Sequence, residues 1–131
     1  MFSFPETTDE KPSVSRSILY IDDDADDRLL VKLIAQRALG RSTTVHGIGD
    51  VSAAYRLLGE HSFDLVIVDN RIGDGRARET VAKIADRLGD ARVAIVSDYV
   101  EEIDEDALPA SIDCVLPKHD MHRLFDPGWL F

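Results

Sequence analysis

Four places in this chain carry groups that could do chemistry together. They are the acidic run Asp22-Asp23-Asp24, a lone carboxylate at Asp69, a hydroxyl at Ser97 and an ammonium at Lys118. Clustered carboxylates suit a hard divalent cation, and Mg2+ commonly takes one or two of them together with waters and phosphate oxygens. A carboxylate held beside such a cation can accept a phosphoryl group, because that transfer needs in-line placement and neutralised charge. The hydroxyl and the ammonium would supply contacts to the remaining phosphoryl oxygens. Each group has an ordinary reading when taken alone. Asp69 could cap a loop, Ser97 could satisfy a strand end, and Lys118 could be a surface lysine. Their value depends on being brought to one place.

The sequence supplies a way to do that. Each group follows a short apolar run: Ile18-Leu19-Tyr20-Ile21, Leu65-Val66-Ile67-Val68, Val93-Ala94-Ile95-Val96 and Cys114-Val115-Leu116. Runs this short and this β-branched read as strands of a parallel sheet buried on both faces. A further strand is expected over Thr43–Ile48. Helices are expected over Asp24–Leu39, with Leu29, Leu30, Leu33, Ile34 and Leu39 as its apolar positions, and from Asp50 to Leu58. The next helix has Thr80, Val81, Ile84, Ala85 and Leu88 as its inner stripe and Gly89 at its end. A short acidic helix is expected from Val100 to Leu108, and a brief last one that Pro127-Gly128 should stop. Five strands alternating with five helices predict an α/β, flavodoxin-like, doubly wound parallel sheet of order 2-1-3-4-5. Ligands of such sheets lie beyond the carboxyl ends of the strands, at the switch point between the first and third. That is where Asp22, Asp23 and Asp69 would fall.

Composition narrows the function classes. The 131 residues include 25 Asp and Glu against 15 Lys and Arg, a formal charge of −10, which argues against binding nucleic acid. One Cys excludes an internal disulfide, and Cys114 reads as a small buried hydrophobe. No apolar run approaches a membrane span, and the N-terminus lacks a signal-peptide pattern, so a cytoplasmic setting is expected. Residues 1–15 mix Pro, Ser, Thr and acidic residues without a period and read as a flexible tail, leaving residues 16–131 as one domain. Asp24, Asp26 and Asp27 suit the start of a helix, where negative charge favours the dipole. A calcium loop does not fit the run, since Asp27 stands where Gly is needed and Leu33 where a Glu is needed. His46, His61, His119 and His122 are scattered, and the last two lack a third ligand. Trp129 and Phe131 would cover apolar surface or contact a partner.

From Ile18 to Leu124 the chain resembles the receiver domains of bacterial two-component response regulators. The resemblance rests on Asp22-Asp23 after the first strand, Asp69 after the third, Ser97 after the fourth and Lys118 after the fifth. It implies that Asp69 is the phosphoacceptor, Ser97 the switch hydroxyl and Lys118 the phosphoryl contact. It implies Mg2+ held by Asp23, Asp69 and the backbone carbonyl of Arg71, with Asp22 acting through a metal-bound water. It implies a sensor histidine kinase or phosphotransfer protein as donor, and a phosphoacceptor rather than an enzyme in its own right. As a stand-alone receiver it would signal by protein contact or by competing for phosphoryl groups, and the sequence leaves a homodimer open.

Several positions depart from that pattern. Gly73 replaces a common Pro, Ala77 a common Gly, Asp98 a small residue after the switch hydroxyl, and His119 the frequent Pro after the lysine. Val115 stands where many receivers carry a moving aromatic residue. Two other readings follow. One is a receiver-like interaction module that takes no phosphate. The other is an aspartate-nucleophile phosphohydrolase, although its Asp-x-Asp motif expects a Thr that is missing here.

Overall fold

The computed structural model describes residues 16–130. The expected tail, 1–15, lies outside the described residues. Five parallel strands form one sheet: β1 (Arg16–Ile21), β2 (Thr43–Ile48), β3 (Leu65–Asp69), β6 (Arg92–Ser97) and β7 (Cys114–Pro117), in the order β2-β1-β3-β6-β7. The three central strands are the ones whose sequence is continuously apolar. Ile18–Ile21, Leu65–Val68 and Val93–Val96 are all buried, as strands covered on both faces must be.

Successive residues of these strands feed two cores. Ile18, Tyr20, Leu65, Ile67, Ala94 and Val96 pack with Val31 and Ala35 of α1 (Ala25–Leu39) and with Met121, Leu124 and Phe125. Leu19, Ile21, Val66, Val68, Val93 and Ile95 pack with Ala54 and Leu58 of α2 (Val51–Leu58) and with Ala77, Val81 and Ile84 of α3 (Ala77–Ile84). The register sets Ile21 beside Val68, Asp69 beside Val96 and Ser97 beside Pro117. The polar residues that end these strands therefore reach the same edge.

The second half of the chain differs from the expected five helices. The segment from Val100 is two 3-10 turns, Val100–Glu102 and Glu105–Ala107. Five carboxylates between Glu101 and Asp106 repel one another there. The Asp104 side chain also accepts from the Asp106 amide, giving the backbone a local alternative to a helix. After β7 a 3-10 stretch, Lys118–Phe125, leads into a four-residue helix, α4 (Pro127–Leu130). The 3-10 stretch stops just before Pro127-Gly128, as expected, and Pro127 then opens a separate helical turn, as its fixed φ permits at a first helical position. Ala85 is exposed in a 3-10 turn, so the inner stripe of α3 continues from Ile84 to Leu88 without it.

The face of α1 is a further correction. Val31 and Ala35 point into the core, with Ile34 and Leu39 partly covered, whereas Leu29, Leu30 and Leu33 are more than half exposed. The helix carries two apolar stripes, and the sheet takes the one with the smaller side chains. A small antiparallel hairpin, β4 (Arg71–Ile72) and β5 (Gly75–Arg76), also follows β3 and was not expected. Gly73 turns it at φ 58, a conformation Gly adopts without strain.

Candidate functional site

Asp22 is fully buried just beyond β1 and makes three polar contacts. Its Oδ1 accepts from the Asp24 amide at 3.0 Å. Its Oδ2 accepts from the Tyr20 hydroxyl and lies 3.0 Å from the Lys118 ammonium. Burial works to raise this carboxyl, but the Tyr20 hydroxyl, the Asp24 amide and Lys118 outweigh it and hold it below its ordinary range. Arg28 donates to the Asp22 carbonyl at 2.8 Å, which fixes the backbone at the strand end. Gly49 leaves room for that guanidinium, since a Cβ there would sit 2.9 Å from its nitrogen.

Asp69 ends β3 and is 8 % exposed. Burial, and next to it the Asp22 charge, push its carboxyl up to about 7, although Lys118 pulls the other way. Lys118 Nζ lies 3.6 Å from Asp69 and 2.6 Å from Asp27. Burial disfavours its charge, but Asp27 and Asp22 hold the ammonium well above its ordinary value. Asp23 is exposed beside them and accepts from the Gly73 amide at 2.9 Å, so the hairpin positions it. Carboxylate oxygens of Asp22, Asp23 and Asp69 lie within 4.8 Å of one another, the one such group of potential metal ligands among the described residues.

Ser97 is buried at the end of β6, and its Oγ accepts from the Tyr99 amide at 2.9 Å. The Arg71 side chain turns away from the carboxylates. Its Nε donates to Glu102 at 3.1 Å, and its guanidinium lies 5.9 Å from the centre of the Tyr99 ring. Asp98 is exposed and lines a groove of about 480 Å3 with Asp24, Asp27, Leu30, Lys118 and His119. Val115 is half-buried in β7 and packs against the core of Leu19 and Ile95. A larger cavity, about 690 Å3, lies at the opposite edge of the sheet among His61, Asp64, Arg87 and Arg92, far from this chemistry.

Every residue singled out in the sequence for the site thus comes to one edge of the sheet, with the side chain of Arg71 the one that faces elsewhere. Sequence reasoning missed three participants. Asp27, read only as a helix-start residue, is the nearest carboxylate to Lys118. Tyr20, read as part of an apolar run, brings a buried hydroxyl to Asp22. Asn70 is buried after Asp69 and receives the Ala77 amide on its backbone carbonyl at 2.9 Å, joining β3 to α3. A tyrosine facing inward two residues before an acidic pair was the available signal for the second of these.

No family model matches this sequence, and no similar curated protein was found. Solved structures do match. A response regulator receiver domain from Methylobacillus flagellatus, described as CheY-like, superimposes with a TM-score of 0.74 at 15 % identity, covering 88 % of this chain and 97 % of that one. A response regulator protein from Thermotoga maritima, solved in complex with Mg2+ and BeF, gives 0.73 at 20 % identity, covering 88 % and 99 %. One from Burkholderia pseudomallei, with a phosphorylated aspartic acid, a calcium ion and citrate, gives 0.60 at 21 % identity, covering 79 % of this chain and 60 % of that one. The chain has the CheY-like fold of response regulator receiver domains.

Proposed function

We propose that this chain is a phosphoacceptor that takes a phosphoryl group onto Asp69 from a phosphohistidine of a sensor kinase or phosphotransfer protein. The observation that carries the reading is the position of Asp69. It ends β3 beside the carboxylates of Asp22 and Asp23, with the Lys118 ammonium 3.6 Å from it and 3.0 Å from Asp22. An Asp69 oxygen would attack phosphorus, the phosphorus–nitrogen bond would break, and its electron pair would return to the imidazole. Lys118 would hold one phosphoryl oxygen, and the Ser97 hydroxyl would donate to another.

The donor set fits Mg2+, which prefers oxygen ligands in a small number and keeps several waters. Asp23, with one oxygen not engaged by Gly73, and Asp69 would hold it with the Arg71 carbonyl, and Asp22 through a water. When bound, the cation neutralises charge on the phosphoryl oxygens. The solved relatives with Mg2+ and BeF, or with a phosphorylated aspartic acid and calcium, support the same reading for a shared fold. The formal charge of −10 leaves no basic footing for nucleic acid, so the signal would pass by protein contact or by competition for phosphoryl groups. No described helix is long and apolar enough to cross a membrane.

The test is intact-mass measurement after incubation with a small phosphodonor and Mg2+. One stable adduct, lost on Asp69→Ala, is expected. Absence of any adduct would favour the interaction module, and rapid turnover of phosphate esters would favour the hydrolase.

A further inference from the structure

Most of the large hydrophobic side chains exposed among the described residues lie on one helix. Leu29, Leu30 and Leu33 of α1 are 59 %, 54 % and 56 % exposed, and Tyr99 is the one other large hydrophobic residue of that kind. Scattered exposed leucines need no explanation, but three within two turns form a patch. The opposite face of α1 is already packed on the sheet through Val31 and Ala35. A helix that is apolar on both faces is ordinarily covered on both.

What covers the outer face can be read from its ends. Residues 26, 30, 33 and 37 follow at intervals of four, three and four and so share one stripe. That stripe reads Asp26, Leu30, Leu33, Arg37. Laid antiparallel on a second copy, Asp26 meets Arg37, Leu30 meets Leu33, and the same contacts recur in reverse. A two-fold axis midway between residues 30 and 33 maps the stripe onto itself, which is the requirement for a closed, isologous contact. Among the described residues neither the Asp26 carboxylate nor the Arg37 guanidinium has an ion-pair partner within its own chain.

We propose that this face of α1 binds a second copy of the chain, forming a two-fold dimer through antiparallel pairing of the two α1 helices. A helix from an unrelated protein could also bury the leucines, but self-complementary charge about a central apolar pair favours a second copy. The acidic start of α1, with Asp26 and Asp27, disfavours an anionic membrane surface. Three half-exposed leucines a side make a small contact beside the roughly 800 Å2 per partner of a stable complex. The dimer is therefore a reversible, concentration-dependent one, and it stands independently of whether Asp69 is phosphorylated.

The test is sedimentation equilibrium of the full chain over a concentration series reaching the millimolar range. Wild type should show a monomer–dimer equilibrium, and Leu30→Glu should be monomeric throughout. Asp26→Arg or Arg37→Asp alone should raise the dissociation constant about three- to tenfold, since each breaks two symmetry-related pairs. The double exchange, Asp26→Arg with Arg37→Asp, should restore it. A thermal melt of each variant checks folding, and the charge exchange remains decisive if Leu30→Glu does not fold. A monomeric wild type would overturn the proposal, as would a dimer indifferent to Leu30→Glu or a double exchange no tighter than the single variants. A monomer in which Leu30→Glu impairs phosphoryl uptake from a phosphohistidine protein would give the face to the phosphodonor instead.

Discussion

Replacing Asp69 by Asn should make the cation-free protein more stable, and only above a definite pH. The Asp69 carboxyl is pushed from 3.8 up to about 7 in the folded state, first by burial and then by Asp22. Between those values the folded protein holds a proton that the unfolded chain has released. Wild-type stability therefore falls as pH rises through that window, and the whole cost is present above about pH 7. A difference of that size sets an upper bound of about 4 kcal/mol. Two effects reduce it: the strain is shared with Asp22, and the substitution removes a carboxylate 3.6 Å from Lys118. A net gain of about 1–2 kcal/mol is expected, which for a domain of this length is a rise in Tm of roughly 3–10 °C. The assay is thermal denaturation of both proteins in chelator from about pH 4 to pH 8. The two should coincide at the acid end and separate steadily toward neutrality. Added Mg2+ should then stabilise the wild type and leave the Asn variant almost unmoved, since mass action rewards only the state that gathers the ligands. An Asn variant no more stable than wild type at about pH 8 without the cation would refute the reasoning, as would a gap that does not change with pH.

The other expectations can be stated briefly. Asp23→Ala should lose the Mg2+-induced rise in Tm, whereas Asp26→Ala should keep it; equal loss in both would mean that the acidic run binds cations diffusely. Lys118→Met should lower stability in chelator by about 2–4 kcal/mol, read by denaturant unfolding, because buried Asp22 and neighbouring Asp27 lose their counter-ion.

How much of this was legible in the sequence follows from which physical signals are local. Burial on both faces writes itself into a strand as an unbroken apolar run, so Ile18–Ile21, Leu65–Val68 and Val93–Val96 could be found, and with them the residues that end them. The strand order followed from the alternation of elements. Facing was harder. The leucines of α1 fit a helical period, but a period does not say which of two apolar stripes meets the sheet, and Leu29, Leu30 and Leu33 lie on the outer one. The acidic stretch after Val100 held helix-forming residues, and carboxylate repulsion together with local capping by Asp104 decided for 3-10 turns. The Lys118–Asp27 pair spans 91 positions and could not be seen without the fold. Tyr20 was hidden for the opposite reason, because its ring belongs to the core while its hydroxyl belongs to the site.

The contacts already made at the site indicate where a phosphoryl group on Asp69 would be felt. Lys118 is nearer to Asp27 and Asp22 than to Asp69, so a doubly charged group there would draw it from Asp27, in the first turn of α1. Ser97 Oγ accepts the Tyr99 amide while its own proton stays available, so donating to a phosphoryl oxygen need not break that bond. Arg71 holds Glu102 in the first 3-10 turn and lies near the Tyr99 ring, which couples the hairpin after β3 to the segment after β6. That segment is two three-residue turns with few backbone bonds of its own, and such elements open at low cost. The side chain at Val115 is a half-buried aliphatic one, so no aromatic ring there has to change place when the segment moves. The response should therefore concentrate between Asp98 and Leu108 and at the start of α1. Amide hydrogen exchange before and after phosphorylation reads it directly, and a uniform change across the sheet and helices would argue against a local path.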